Sequence, residues 1–131
     1  MQENEIGQMV IAAGIHVHRT LGPGLLESVY EAVLAYELEK RGLMVRRQVP
    51  ISIRYDEITF DEGFRADLIV NDRVIVEPKS VAHISMVHRK QLQTYLRLAE
   101  FRLGYLLNFG EALLRDGIVR AVNGLSEEEG K

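Results

Sequence analysis

Three ionisable residues interrupt a stretch that is otherwise built for burial. In Phe64-Arg65-Ala66-Asp67-Leu68-Ile69-Val70-Asn71-Asp72-Arg73-Val74-Ile75-Val76-Glu77-Pro78-Lys79, Asp67 breaks one apolar run and Glu77 with Lys79 ends the next. Both runs read as strands, and joining them through Asn71-Asp72-Arg73 makes a β-hairpin the simplest arrangement. Glu77 and Lys79 are two residues apart, so on a strand both project to one face. Ionised groups among Val and Ile are costly unless they pair or bind a metal. Two carboxylates and one ammonium at a sheet edge therefore fit a hard-cation site, Mg²⁺ foremost, with an amine close to an activated water.

That chemistry demands a particular hairpin. Cross-strand partners share a face, so Asp67 opposite Glu77 requires Val70 opposite Val74 and a three-residue loop, or an added bulge. A two-residue turn of Asn71-Asp72 would set Asp67 against Val76 and turn the carboxylates to opposite faces. On these three residues alone, a simpler reading is a salt-bridged sheet edge in which Lys79 neutralises Asp67 and Glu77.

The surrounding pattern supplies the scaffold. Ile6, Met9, Val10, Ala13 and Val17 recur at spacings of three and four and predict a helix over about 4–20, which Leu21-Gly22-Pro23-Gly24 breaks. A second helix is expected over about 25–41, burying Leu26, Val29, Val33 (or Tyr30), Leu34 and Leu38 and stopping at Gly42. Leu43 to Tyr55 alternates as a strand with one wet face; Asp56-Glu57 and Asp61-Glu62-Gly63 read as turns. After the hairpin come a helix over 84–101 with Val87, Leu92, Tyr95, Leu96, Leu98 and Ala99 inward, a central strand over 103–109, and a strand over 113–122 interrupted at Asp116-Gly117. The order helix, helix, three strands, helix, two strands predicts an α/β sandwich with a mixed sheet. No glycine-rich loop follows a strand, so nucleotide-cofactor folds lose support.

Composition narrows the classes. The 131 residues are 47% hydrophobic and 27% charged, with net charge -3 and no cysteine, which suits one domain with one core. Without cysteine there is no disulfide scaffold, thiolate zinc site or cysteine nucleophile. No apolar run approaches a membrane span and no signal-peptide plan is seen at the start, so a cytoplasmic protein with no membrane partner is expected. Residues 40–102 hold 12 Lys/Arg against 8 Asp/Glu, a balance of +4, whereas the flanks hold 4 against 11. That argues against a wholly electrostatic DNA binder but leaves room for a local grip on a phosphate backbone. One domain over 1–124 and an acidic flexible tail over 125–131, carrying Glu127, Glu128 and Glu129, are expected.

Several motifs in order resemble the PD-(D/E)XK nuclease superfamily, and within it the small bacterial GxxExxY-type group. They are Gly24-Leu25-Leu26-Glu27-Ser28-Val29-Tyr30, Phe64 to Asp67, Glu77-Pro78-Lys79, Gln91 to Leu96 and Leu103 to Gly110. The resemblance covers roughly residues 6–122 and implies a restriction-endonuclease-like core. It implies metal ligation (Mg²⁺, with Mn²⁺ as a substitute) by Asp67 and Glu77, the Pro78 carbonyl, and Glu27 directly or through water. It gives Lys79 the task of orienting or deprotonating the attacking water, and Gln91 that of positioning the water, the phosphate or Lys79. The implied reaction is phosphodiester hydrolysis in nucleic acid, DNA before RNA. Pro78 departs from the family's usual small or aliphatic residue, because it removes an N–H from the strand.

Other residues invite blander readings. Tyr30 and Tyr95 read as packing aromatics, and His16, His18 and Arg19 as surface or rim residues. His83 and His88 flank the third helix without a further nitrogen ligand for zinc. Arg46, Arg47, Arg54, Arg89, Lys90 and Arg97 form either a phosphate-facing rim or ordinary solvated faces. The alternatives to a nuclease are a non-catalytic binding module of the same fold and an assembly protein. In the nuclease case specificity would fall to a homodimer or an unknown protein partner.

Overall fold

The computed structural model describes residues 1–125. The acidic run Glu127 to Glu129 lies outside the described residues, and Leu125 packs against the core. The elements are α1 (Glu3–Leu21), α2 (Glu27–Lys40), β1 (Val45–Tyr55), β2 (Ile58–Val70), β3 (Val74–Lys79), α3 (Met86–Ala99), β4 (Leu103–Asn108), a single 3₁₀ turn (Leu114–Gly117) and β5 (Ile118–Val122). The expected order holds, with two changes. Asp61-Glu62-Gly63 lies inside β2 as an irregularity in its pairing with β1, between Ile51–Phe64 and Ile53–Phe60, and the segment before β5 winds into the 3₁₀ turn.

The five strands follow chain order across the sheet, antiparallel except for the β3–β4 pair. That one parallel step obliges the chain to cross over, and α3 is the crossover. Helices α1 and α2 cover one face through Ile6, Val10, Ala13, Val17, Tyr30, Leu34 and Leu38, while α3 covers the other through Leu92 and Leu96. Each face thus has its own apolar layer, and a fully buried side chain of this size contributes about 1.5–3 kcal/mol. Gly104 lets α3 sit close: a Cβ there would come within 3.0 Å of Leu92 Cδ1 and Leu96 Cδ2.

Helix α2 corrects the expected buried face. It starts only at Glu27, so Leu26 is its cap and is 73% exposed; Val29 is exposed too, and Tyr30, Glu31, Leu34, Ala35 and Leu38 turn inward. On α3, Leu92 and Leu96 are buried with Tyr95 and Ala99 packed beside them, as expected, but Val87 and Leu98 are exposed.

The hairpin takes the wider loop. Val70 pairs with Val74, Ile69 with Ile75 and Leu68 with Val76, leaving Asn71, Asp72 and Arg73 as the loop. Asn71 and Asp72 adopt φ of 51° and 54°, a left-handed conformation that short Asn and Asp side chains tolerate. Asn71 is further anchored to Met44, its amide donating to the Met44 carbonyl and its Oδ1 accepting from the Met44 amide, both at 2.8 Å.

The β2–β3 ladder then stops at Leu68 and Val76. Its neighbours do not: β1–β2 runs on to Tyr55–Ile58, and β3–β4 to Lys79–Asn108. The sheet therefore forks, and Asp67 and Glu77 are the first residues past the branch point.

Candidate active site

Asp67 and Glu77 are brought together as the three-residue loop requires. The Asp67 amide, left without a ladder partner on β3, points at the Glu77 carboxylate, 3.4 Å from Oε2 and 3.5 Å from Oε1. Glu77 is only 4% exposed, and Asp67 is half-buried. Burial, above all, then the hydrogen bond and repulsion between the two carboxyls, push the Glu77 pKa up to about 10; the Lys79 charge and the Asp67 amide pull the other way. Glu77 therefore carries a proton at neutral pH. Lys79 is half-buried and acts on Glu77 through its field; among the described residues no ion pair joins it to either acid, so a salt-bridged edge does not form.

Pro78 fits this strand end. Lys79 gives its carbonyl to the Phe109 amide at 2.8 Å on the β4 side, so the alternate residue Pro78 turns its peptide edge toward β2. The ladder on that side has already ended, and the missing N–H costs no hydrogen bond. Beyond Lys79 the chain is clamped by buried Asn108, whose amide group donates to the Val81 carbonyl and accepts from the Val81 and Gly110 amides. Gly110 has no room for a side chain against the Val81 backbone.

From the far face, α3 delivers Gln91 and Tyr95, one turn apart. Tyr95 stacks on Phe64 of β2 with ring centroids 3.9 Å apart. Its hydroxyl bonds to Gln91, and its pKa is raised by burial first and then by the charges of Glu77 and Asp67. Tyr95 is thus a member of the site as well as a packing residue, which its spacing from Gln91 already permitted.

Helix α2 contributes differently from expectation. Glu27 accepts from the Ser80 amide at 3.3 Å, just past β3, while Ser80 Oγ donates to the Leu25 carbonyl. Tyr30 is fully buried, stacks on Phe109, and ties down the preceding loop by donating to Gly22 O and accepting from Leu25 N. The α2 carboxylate that connects to Asp67 is Glu31, one turn after Glu27. Glu31 Oε2 accepts from Arg47, Oε1 accepts from Gln48 Nε2 at 2.6 Å, and the same Nε2 donates to Asp67 Oδ1 at 3.1 Å. Sequence pattern gave no sign of Glu31, because a charged residue on a helix ordinarily faces water, nor of Gln48, a polar residue in an alternating strand.

Gln48 has a φ of 51° in mid-strand, a conformation costing about 1–2 kcal/mol outside glycine. Around it the side-chain alternation changes parity. Val45 packs with the layer under α1 and α2, but Val49 and Ile51 pack with the layer under α3. On β2, Leu68 and Val70 belong to the first layer and Phe64 and Ala66 to the second.

The basic and imidazole residues sort by partner. Arg46 is held by Asp72, Arg47 by Glu31, and Arg54 by the Asp56 carbonyl, so the β1 arginines are internally committed. Arg89, Lys90 and Arg97 are exposed on α3. His18 is buried with Nε2 2.8 Å from the Glu111 carbonyl, a correction to its reading as a surface residue; His88 caps α3 with Ser85.

Two carboxylates from adjacent strands, one protonated for want of counter-charge, are suitable hard oxygen donors. Among the described residues no three acidic or imidazole side chains are gathered closely enough to cage a cation. That donor set fits Mg²⁺, which is commonly held by one or two carboxylates and keeps several waters. A cavity of about 480 Å³ lies away from these residues, at the opposite end of β3, lined by Glu3, Arg73, Glu100 and Arg102 among others. Among the described residues no helix is long and apolar enough to cross a membrane.

Comparison with curated proteins and with solved structures yields no match. A family model described as the PD-(D/E)XK nuclease superfamily matches residues 4–121, a span holding every element from α1 to the body of β5 and all of the acidic and basic groups at the fork. The chain therefore belongs to the PD-(D/E)XK nuclease superfamily.

Proposed function

We propose that this protein is a metal-dependent nuclease of the GxxExxY type that hydrolyses phosphodiester bonds, in DNA rather than RNA. The observation that carries this is the meeting of Asp67 and Glu77 past the end of the β2–β3 ladder, with Lys79 on the Glu77 face. A proton on buried Glu77 marks a place where positive charge is wanted. Asp67, Glu77 and the Pro78 carbonyl would hold Mg²⁺ or Mn²⁺, with Glu27 contributing through water. The cation, when bound, would polarise a phosphoryl oxygen and lower the pKa of a bound water.

The chain's own residues do the rest. Lys79 orients the attacking water and steadies the charge that develops on the phosphate. Gln91, fixed by the Tyr95 hydroxyl, positions that water or the phosphate from α3. Arg89, Lys90 and Arg97 give α3 a basic outer face for the phosphate backbone. A second copy or a protein partner supplies sequence preference, and the cytoplasm is the place of action.

The test is cleavage of duplex, single-stranded and branched DNA, and of RNA, with Mg²⁺ or Mn²⁺. Cleavage should require the metal, disappear in Asp67→Ala and Glu77→Ala, and fall roughly a thousandfold in Lys79→Ala. Wild-type protein that leaves every substrate intact with either metal would overturn the reading.

A further inference from the structure

We infer that Gln48 is a positioning residue for the metal-binding acid Asp67, and that the strained turn of β1 exists to place it. The inference rests on the nuclease reading of the site. Its basis is geometric. An amide NH₂ has two hydrogens, and Gln48 spends one on Glu31 Oε1 and the other on Asp67 Oδ1. Glu31 is itself held on both oxygens: it is buried, and its second oxygen takes Arg47. Arg47, Glu31 and Gln48 thus form a chain that runs from helix α2 to one oxygen of Asp67 and fixes the direction in which the other can point.

The backbone shows that this arrangement is imposed. Gln48 is neither Gly nor Asn, yet it holds a φ of 51° inside an eleven-residue strand, directly where Asp67 lies across the ladder. Strain of this sort persists where the surrounding contacts over-determine it, and it gathers at functional sites. Here it accompanies the change of parity that lets Asp67 sit at the fork with Glu77 while Ala66, its neighbour, packs under α3.

The test separates positioning from folding. Gln48→Gly removes the amide and relieves the backbone; Gln48→Ala removes the amide and keeps the strain. Mn²⁺ affinity, measured by titration calorimetry without nucleic acid, should fall about 10- to 100-fold in both variants. Melting temperatures of the metal-free proteins should diverge, with Gln48→Gly about 2–4 °C above Gln48→Ala and not below wild type. Wild-type affinity in both variants would overturn the inference alone. Affinity that falls only in the variant that melts lower would also overturn it, as a purely structural role. Wild-type protein that binds no Mn²⁺ would overturn the metal-site reading and this inference with it.

Discussion

Asp67 and Glu77 meet through a main-chain amide: the N–H that Asp67 would have given to a neighbouring strand lies 3.4 Å from a Glu77 carboxylate oxygen. The sheet's branch point thus becomes a place where two acids are forced into each other's field.

Replacing Glu77 by Gln should stabilise the metal-free protein at neutral pH. The folded pKa of about 10 lies above the ordinary 4.5, so the stability tied to this proton is complete below pH 4.5 and is lost as pH rises toward 10. At 1.36 kcal/mol per unit, wild type loses about 3 kcal/mol by pH 7 that Glu77→Gln keeps. Urea unfolding in EDTA at pH 5, 6, 7 and 8 measures the difference, and parallel curves would contradict it. Saturating Mg²⁺ should flatten the wild-type decline.

Lys79→Ala should slow metal-dependent cleavage roughly a thousandfold. It makes no ion pair with either acid, so the melting temperature should move little. Rate and melting curve together distinguish loss of chemistry from loss of fold.

Pro78→Val should cost about 1–3 kcal/mol in stability, because the restored N–H of this buried residue meets no ladder partner on β2. Lys79 already sits in register opposite Asn108, so cleavage should stay within about threefold of wild type. Unchanged stability, or a large change in cleavage, would contradict this reading of the strand end.

Tyr30→Phe should cost about 1–2 kcal/mol, since it strips a donor from Gly22 O and an acceptor from Leu25 N. The loosened loop carries the Leu25 carbonyl that holds Ser80, so cleavage should fall with stability only modestly reduced. Unfolding and initial-rate measurements on one preparation test both halves.

Much of this arrangement was legible in the chain, for reasons that differ by residue. Helix spacing placed α1, and cross-strand register named the wider loop that facing acids would need, which the pairing of Val70 with Val74 provides. Gln48 was not legible. An alternating strand looks the same on either side of a parity change, and only the partner strand reveals it. Glu31 was hidden because its burial depends on Arg47 and Gln48, residues distant in sequence. Leu26 and Val29 misled because apolar spacing cannot say where a helix begins when the loop before it is tied down by Tyr30.

Pro78 gives the branch point a polarity. With its peptide edge turned toward the opening and no hydrogen on its nitrogen, Pro78 offers that opening only the lone pairs of its carbonyl. Any other residue would set an N–H there and invite an anion. The proline thus leaves the β3 edge of the crevice an acceptor, suited to a cation, while the positive charge a phosphate would meet belongs to Lys79 alone among the three residues that end the strand.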